Sequence, residues 1–542
     1  MFRFSATVAA GALVAATTLL AFPFLAGAPA FAADIPVTSP DDDGPDTLRQ
    51  ALATANTAGG QDVIVIDPGV GTITLSSSLT VTDGVTIRGN ETTITRDDSF
   101  ELVVIDLATP GAVELDSLNF VADSSTVGRA VLATSATGDS LAITDSTFTG
   151  FTSDPAFVGW DLVDYYEGGA VRLEAGELHV SGSTFEGNQS WEGGGAISVG
   201  TLTGDSTVAL STFRDNHTVA LDNRGAALAV ATVAPDVTFT VTQTYFVENS
   251  SRSTYLSGFR GIALNVGTVH GSLIVDSSTF EGQVNIWPDR APGPTSGWSI
   301  GVGQIADGGS ARIINSTFDE GDFGLGGHVP LYVVSVGAVD TGATFALEHS
   351  TVVGGGTLLI ENNRGTSRVS NTIAEGISAF NAVVVAAGDP LTLEYSALST
   401  PLNDLYVADA GGNQFAVDDM MLQPLAFNGG PTPTMMIGPA GPAVGTGMPV
   451  ALASEPTLEQ RGAGYLRRSG LLDIGAVELP GDDLPTLPLD PENPSTPAGP
   501  PTLAETGTDW GTAGLVLGSS IALLGGVLVL AGRRSRSGSS AA

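Results

Sequence analysis

From residue 34 to residue 479, apolar residues alternate with small polar ones in short runs, and helical periodicity is almost absent. Such alternation is typical of β-strands, because successive side chains of a strand point to opposite faces. The long body of the chain is therefore expected to be all-β.

A short phrase recurs along this body: an apolar pair separated by one residue, one or two small polar residues, and then Ser-Thr-Phe. The phenylalanines of the phrase from 148 to 318 are 37, 28, 33, 34 and 38 residues apart. The copies are 146–148, 183–185, 211–213, 278–280 and 316–318, with altered forms at Thr244-Tyr245-Phe246, Ser350-Thr351-Val352, Asn371-Thr372-Ile373 and Ser396-Ala397-Leu398. A repeat of this length without linkers indicates a solenoid.

The repeat length fits a coil of three strands of about five residues each, joined by turns of variable length. We therefore expect a right-handed single-stranded parallel β-helix, with Phe, Val, Ile and Leu inside and Ser, Thr and Asn at the corners. A string of β-sandwich domains is the alternative. It is disfavoured because a sandwich needs about 100 residues per domain.

The first coil needs a cap, because an open end would expose the apolar interior and unpaired strand edges. Residues 46–58 supply a candidate: Thr47 and Gln50 have the spacing of a capping box, and Gly59 ends the run. The apolar residues of this segment share one helical face: Leu48, Ala51, Leu52 and Ala55. The sequence predicts an amphipathic helix here.

Two resemblances bracket the body, which is expected to be one domain, residues 33–479. Residues 46–56, 64–75 and 85–89 are similar to the opening of pectate-lyase-like β-helix proteins of the CSLREA type, although the cysteine of that motif is missing. Residues 428–478 resemble the choice-of-anchor Q domain of bacterial surface proteins, with Met435 in place of the usual His and Glu459 in place of the usual Asp. The resemblance implies surface display and little about chemistry.

The N-terminus has the features of a secretory signal peptide over residues 1–32. Arg3 precedes a long apolar run, and Ala30-Phe31-Ala32 is a small-x-small cleavage site, so cleavage is expected between Ala32 and Ala33. A membrane anchor is the alternative reading of the apolar run, and Pro23 and Pro29 argue against it.

The C-terminus has a spacer rich in proline at 480–502, the pentapeptide Leu503-Ala504-Glu505-Thr506-Gly507, an apolar span at 510–531 and a basic tail at 532–542. The span is long enough for a transmembrane helix. The order resembles the Leu-Ala-x-Thr-Gly type of sortase sorting signal. That resemblance implies cleavage between Thr506 and Gly507 and linkage of Thr506 to a peptidoglycan stem-peptide amine, with a transient membrane precursor. A permanent single-span anchor is the alternative.

Composition narrows the function further. A net charge of −38 and a pI near 4.1 argue against nucleic acid as a partner. Cysteine is absent, which excludes disulfides and thiol catalysis. All 20 basic residues are arginine, so the chain lacks the lysine amine through which pilus shafts polymerise.

The candidate binding site is a segment rich in aromatic residues and carboxylates, suited to stacking on sugar rings or holding Ca²⁺. Its residues are Trp160, Asp161, Asp164, Tyr165, Tyr166 and Glu167, with Trp191 one coil later. The alternative is a loop that packs its aromatic residues on the solenoid. Ca²⁺ is the one cofactor considered.

No catalytic residues are predicted. The pairs Asp97-Asp98 and Asp418-Asp419 are expected to be solvated, because adjacent strand residues point to opposite faces, and His328 is expected to be a turn residue. The expected function is non-enzymatic display or adhesion on a glycan or host surface. An anchored polysaccharide lyase or glycoside hydrolase is the alternative.

Overall fold

The computed structural model describes residues 34–479, except 123–125, 135–138, 154–166, 220–224, 252–260, 286–294, 297, 321–331, 377–382, 403, 452–454 and 469. The signal peptide with Ala32 and Ala33, the spacer, the sorting pentapeptide, the apolar span and the basic tail lie outside the described residues. Predictions about those segments therefore stay predictions.

Strands are the main secondary structure of the described residues, as the alternation predicts. The strands in chain order are β1 Asp34–Val37, β2 Asp62–Ile66, β3 Thr72–Leu75, β4 Leu79–Val81, β5 Val85–Arg96, β6 Val103–Ile105, β7 Ala112–Val121, β8 Val131–Ala133, β9 Ser140–Thr144, β10 Thr147–Thr149, β11 Val171–Ser181, β12 Thr184–Glu186, β13 Gln189–Ser190, β14 Ile197–Leu202, β15 Ser206–Ala209, β16 Thr212–Arg214, β17 His217–Thr218, β18 Leu228–Val233, β19 Thr238–Thr242, β20 Tyr245–Val247, β21 Ser250–Ser251, β22 Gly261–Val269, β23 Ser272–Asp276, β24 Thr279–Glu281, β25 Val284–Asn285, β26 Thr295–Ser296, β27 Trp298–Ile305, β28 Ser310–Ile314, β29 Thr317–Asp319, β30 Tyr332–Val339, β31 Thr344–Glu348, β32 Thr351–Val353, β33 Gly356–Asn363, β34 Thr366–Ser370, β35 Ile373–Glu375, β36 Val383–Val385, β37 Leu391–Glu394, β38 Ala397–Leu398 and β39 Val407–Gly411.

The coils contribute strands to three stacked faces, and the strands of these faces pair in parallel with their counterparts in the next coil. A separate short sheet contains β13, β17, β21, β25 and β26, and its last pair, β25 and β26, is antiparallel. In one coil the first face is β14, the second face is β15 and the third is β16. These pair with β18, β19 and β20 of the following coil. We call the face that carries the Ser-Thr-Phe phrase, with strands such as β10, β12 and β16, the threonine face.

The phenylalanines of the phrase form one internal column, as the sequence predicts. Neighbouring rings are 4.7 to 5.0 Å apart between centroids and nearly parallel. The column comprises Phe120, Phe148, Phe185, Phe213, Phe246, Phe280 and Phe318. Its spacing is that of hydrogen-bonded strands, so the backbone ladder sets the ring stacking. Phe120 belongs to the column although its coil lacks the phrase.

A second column is conformational. In successive coils, the residue at which the chain turns toward the threonine-face strand has a positive φ of 46–60°. In all but the first of these coils, the next residue is Ser or Thr. The set is Ser117, Asp145, Gly182, Leu210, Gln243, Ser277, Asn315, His349, Asn371 and Tyr395. A left-handed residue turns the chain sharply between the second face and the threonine face, and its recurrence keeps the coils in register.

The N-terminal cap is a helix, α1, Leu48–Ala58. Thr47 is its N-cap, accepting a hydrogen bond from the backbone N–H of Gln50, and Gly59 follows its last residue with φ 74°. Its buried residues are Leu48, Ala51, Leu52 and Ala55, the apolar face that the sequence predicts. The helix packs against β1, β2 and β4, which closes the first coils.

The last coils differ from the sequence pattern in register. The phrase aligns Ile373 with the phenylalanines, but the structure pairs Val352 with Ala374 and Thr351 with Ile373. That alignment is wrong by one residue. The side chain of Ile373 therefore faces outward, where it joins an apolar cluster with Ala397, Met420, Ile437, Ala443 and Ile474.

Strands end at Gly411, well before residue 479. Residues 427–479, which we call the C-terminal strap, run back along the threonine face of the later coils. Thr279 donates a hydrogen bond to the carbonyl of Pro433 at 2.6 Å, and Ala476 donates its N–H to the hydroxyl of Thr351 at 3.0 Å. The segment that resembles a choice-of-anchor Q domain is therefore a lateral cover for the solenoid.

Candidate functional site

The predicted aromatic segment joins the threonine face of one coil to the first face of the next. Trp160, Asp161, Asp164, Tyr165 and Tyr166 lie outside the described residues. Glu167 and Trp191 are described, and the N–H of Gly168 donates to the carbonyl of Gly193 at 2.8 Å. The chain around Glu167 and the loop that carries half-buried Trp191 are therefore neighbours in adjacent coils.

Glu167 is engaged by other side chains of the solenoid. Its carboxylate forms an ion pair with Arg172 and accepts a hydrogen bond from the hydroxyl of Ser198 at 3.1 Å. Arg172 also donates to Ser198 at 2.7 Å and pairs with Glu174 at 3.2 Å. This carboxylate already has a cationic partner, so in this structure it fixes the end of the aromatic segment.

Two more buried arginines lie in the preceding coils. Arg129 pairs with Glu101 at 2.7 Å and donates to the carbonyl of Glu167 at 2.9 Å. Arg96 donates to the carbonyls of Phe100 and Gly128 at 2.6 and 2.9 Å. Burial lowers the pKa of Arg96 to about 10, so the side chain remains charged at neutral pH. These arginines therefore anchor the backbone at Phe100, Gly128 and Glu167.

The longer stretches that lie outside the described residues occur at one point of the coil. They are residues 154–166, 220–224, 252–260, 286–294, 321–331 and 377–382. In chain order each comes after a threonine-face strand and before the first-face strand of the next coil, and the short strands β17, β21, β25 and β26 of the separate sheet flank three of them. We call the line of corners that they share the insertion edge. The number of residues per coil varies mainly at this edge. Sequence can therefore change there without breaking the hydrogen bonds between the stacked strands.

An asparagine ladder supports the insertion edge from inside. The side-chain oxygen of Asn216 accepts from the N–H of Asn188 at 3.1 Å, and Asn249 does the same for Asn216 at 3.1 Å. Each asparagine also donates to a backbone carbonyl, as Asn216 does to Phe185 at 3.0 Å. These side chains are completely buried, and they satisfy backbone groups that the corner would otherwise leave unpaired.

The ladder ends in a carboxyl group. Glu320 accepts a hydrogen bond from the N–H of Gln283 at 2.8 Å and is hydrogen-bonded to the hydroxyl of Ser299. Burial raises the pKa of Glu320 to about 8. At neutral pH it is therefore mostly protonated and hydrogen-bonds much as an amide would. Glu320 is not among the site residues that the sequence predicts. The available signal was a break in the repeat: Asn or Gln lies three residues after Phe185, Phe213, Phe246 and Phe280, but not after Phe318.

The other candidates for chemistry are placed as follows. Asp97, Asp98, Asp418 and Asp419 are exposed, as the sequence predicts, and His328 lies outside the described residues. Within the described ranges, no three His, Asp or Glu side chains converge as a metal site would require. Also within those ranges, no helix is long and apolar enough to cross a membrane.

Comparison with known proteins adds no family assignment. No family model matches the chain, no curated protein is found to be similar to it, and no solved structure matches its fold. The described residues form a parallel β-solenoid with an N-terminal capping helix and a C-terminal strap, and this is the class of fold to which they belong.

Proposed function

We propose that this chain is a secreted, cell-wall-anchored surface protein whose right-handed parallel β-helix serves non-enzymatic display or adhesion. The observation that carries the proposal is the C-terminal order of a sorting pentapeptide, an apolar span and arginines. A sortase would cleave between Thr506 and Gly507 and pass Thr506 to a peptidoglycan stem-peptide amine. The resemblance to choice-of-anchor Q surface proteins of the CSLREA, pectate-lyase-like type agrees with this role.

Four points support the proposal. The ladder of parallel strands from β1 to β39 is a long scaffold, and because the chain has no cysteine its stability does not depend on disulfides. The acidic composition favours a soluble body with little affinity for other anionic surfaces. The right-handed sense follows the nearly universal rule for crossovers between parallel strands of one sheet. The spacer at 480–502 would hold the solenoid away from the wall.

We place ligand contact at the insertion edge, where the chain around Glu167, at the end of the aromatic segment, and the loop that carries Trp191 are neighbours in adjacent coils. Aromatic faces stack on sugar rings, so a glycan is the ligand class that this composition favours. The enzymatic alternative is retained as an outcome of the tests, because the acidic residues of the segment could also act on a polysaccharide.

Anchoring is tested by replacing the residue that becomes the wall linkage. Thr506→Ala should leave the protein in the membrane fraction, extractable by detergent, whereas the parent should be released only by a wall hydrolase. Thr508→Ala, two residues further on, is the matched control and should behave as the parent does. Equal detergent extraction of the parent and of Thr506→Ala would show that the span is a permanent anchor.

Ligand contact is tested by measuring binding to a panel of acidic and neutral glycans, with and without Ca²⁺. Trp191→Ala should weaken binding. Tyr406→Ala is the control and should not, because Tyr406 is an exposed aromatic residue away from the insertion edge, in the turn just before β39. Release of reducing or unsaturated sugar ends that is lost in Asp161→Asn or Asp164→Asn would establish the enzymatic alternative instead.

A further inference from the structure

The threonine face is covered over one half of its length and open over the other. The first outward residue of each of its strands forms one register-matched column, which we call the threonine column: Thr147, Thr184, Thr212, Tyr245, Thr279, Thr317 and Thr351. Thr279, Thr317 and Thr351 are completely buried under the C-terminal strap. Thr147, Thr184 and Thr212 are only half-buried.

In the covered half, the threonine hydroxyls bond to two backbone groups and one amide side chain of the strap. Thr279 donates to the carbonyl of Pro433, and Thr351 accepts from the N–H of Ala476. Thr317 is hydrogen-bonded to the side-chain oxygen of Gln460, whose amide nitrogen donates to Thr279 at 2.8 Å. The hydroxyl groups therefore bind three separate parts of the strap, at Pro433, Gln460 and Ala476, and none of these parts pairs with the face as a strand.

The threonine column is more uniform than strand formation alone requires. Two residues further along the same strands, a second outward position carries Thr149, Glu186, Arg214, Val247, Glu281 and Asp319. Both positions experience the same β-propensity, so propensity alone would let both vary. In the covered half, contact with the strap accounts for the threonines. In the open half, Thr184 and Thr212 have the same residue type although the strap does not reach them.

We propose that Thr147, Thr184 and Thr212 form a docking surface for an irregular polypeptide segment of another protein, bound, as parts of the strap are, through hydrogen bonds between threonine hydroxyls and backbone groups. The surface continues the interface with the strap. Tyr245 marks the boundary, because its ring contacts Phe427 of the strap edge-to-face at 6.3 Å between centroids.

The charges beside the open half select the partner. Asp145, Glu186 and Asp215 are exposed beside it, and Arg214 lies in the same strand as Thr212. A neutral or basic segment is therefore favoured over an acidic one. Three coils at about 4.8 Å offer few hydrogen bonds, so we expect weak, reversible binding of a single segment. The proposal does not depend on how the chain is attached to the cell.

The test uses the full-length chain in detergent and a synthetic peptide with the strap sequence 427–437, in which a photoreactive phenylalanine replaces Phe427. The peptide should bind and form crosslinks within 147–149, 184–186 or 212–214. Two lysines added at its end should tighten binding, and two glutamates should weaken it.

Three variants sharpen the result. Thr184→Arg, which fills the surface, should weaken binding at least about tenfold, and Thr212→Val, which removes one hydroxyl and keeps the shape, about three- to tenfold. Thr207 lies on the second face of the coil that carries Thr212, so Thr207→Arg should bind the peptide as the parent does. Thermal melting followed by circular dichroism verifies that each variant is folded. If Thr184→Arg does not fold, the affinity of Thr212→Val for the peptide alone tests the proposal.

Absence of binding, equal binding by parent and Thr212→Val, or crosslinks confined to the strap or the coils beneath it would each overturn the proposal.

Discussion

Arg467 and Asn315 are 152 positions apart in the sequence, and the guanidinium of Arg467 donates a hydrogen bond of 2.5 Å to the side-chain oxygen of Asn315. Asn315 is one of the left-handed residues that turn the chain onto the threonine face. Arg467 also donates to the carbonyls of Gly475 and Ala476 at 2.9 and 2.8 Å and pairs with Glu478 at 3.1 Å. One completely buried side chain thus joins the strap to the turn column.

Arg467→Ala should detach the end of the strap and lower the free energy of unfolding by about 3 to 5 kcal/mol, because it leaves the buried carboxyl group of Glu478 and two buried carbonyls without their donor. Urea denaturation measures the loss, and hydrogen exchange should rise at 473–478. Arg364→Ala, at an exposed arginine of the solenoid, should change stability by less than about 0.5 kcal/mol. Unchanged exchange at 473–478 would show that other contacts hold the strap.

The aromatic column makes a different prediction. Phe213 is completely buried between Phe185 and Phe246, with centroid distances of 4.9 and 5.0 Å. Phe213→Ala should cost about 3 to 5 kcal/mol, because the ladder prevents the coils from closing the cavity. Phe213→Leu should cost clearly less, since Val352 and Leu398 occupy the same column in other coils. Equal stability of both variants, measured by urea denaturation, would mean that the column can repack.

The features that the sequence predicts correctly are the periodic ones. The phenylalanine column and the helix at Leu48–Ala58 each follow from a local pattern that repeats or that carries its own capping residues. Such patterns determine which side chains face inward without any knowledge of distant contacts.

The strap and the end of the ladder depend on contacts that no local pattern contains. Gln460 bonds to Ser278, 182 positions earlier, and although Ser278 belongs to the repeated phrase, Gln460 lies in no repeat that would indicate the pair. The available signal was indirect: the outward position changes from threonine to Ile373 and Ala397 where the second apolar cluster forms. That change also explains the register error at Ile373, because an apolar residue facing outward resembles one facing inward.

The asparagine ladder predicts a local loss when it is interrupted. Asn216 donates to Phe185 and to the side-chain oxygen of Asn249, and it accepts from Asn188. Asn216→Ala leaves buried backbone groups unpaired and should cost about 2 to 3 kcal/mol in urea denaturation. Thr207→Ala, in the same coil and partly exposed, should cost less than about 0.5 kcal/mol. A loss as small as that of the control would mean that water replaces the amide.

The carboxyl group at the end of that ladder predicts a pH dependence of stability. Burial raises the pKa of Glu320 to about 8, above its value in the unfolded chain. Between roughly pH 4.5 and pH 8 the folded chain therefore binds more protons at this group than the unfolded chain does, so its contribution is full below that window and is lost as pH rises through it.

Glu320→Gln should remove this part of the pH dependence, by an amount on the order of a few kcal/mol. A glutamine amide can donate to Ser299 while its oxygen accepts from Gln283, so the variant should match the parent near pH 5 and exceed its stability near pH 8. Glu478, whose pKa burial also raises to about 8, titrates in both proteins, so the difference between the two urea denaturation series isolates Glu320. Thr207→Ala, which removes no titratable group, should show the same pH dependence as the parent. Parallel curves for Glu320→Gln and the parent would mean that Glu320 is ionised in the folded chain.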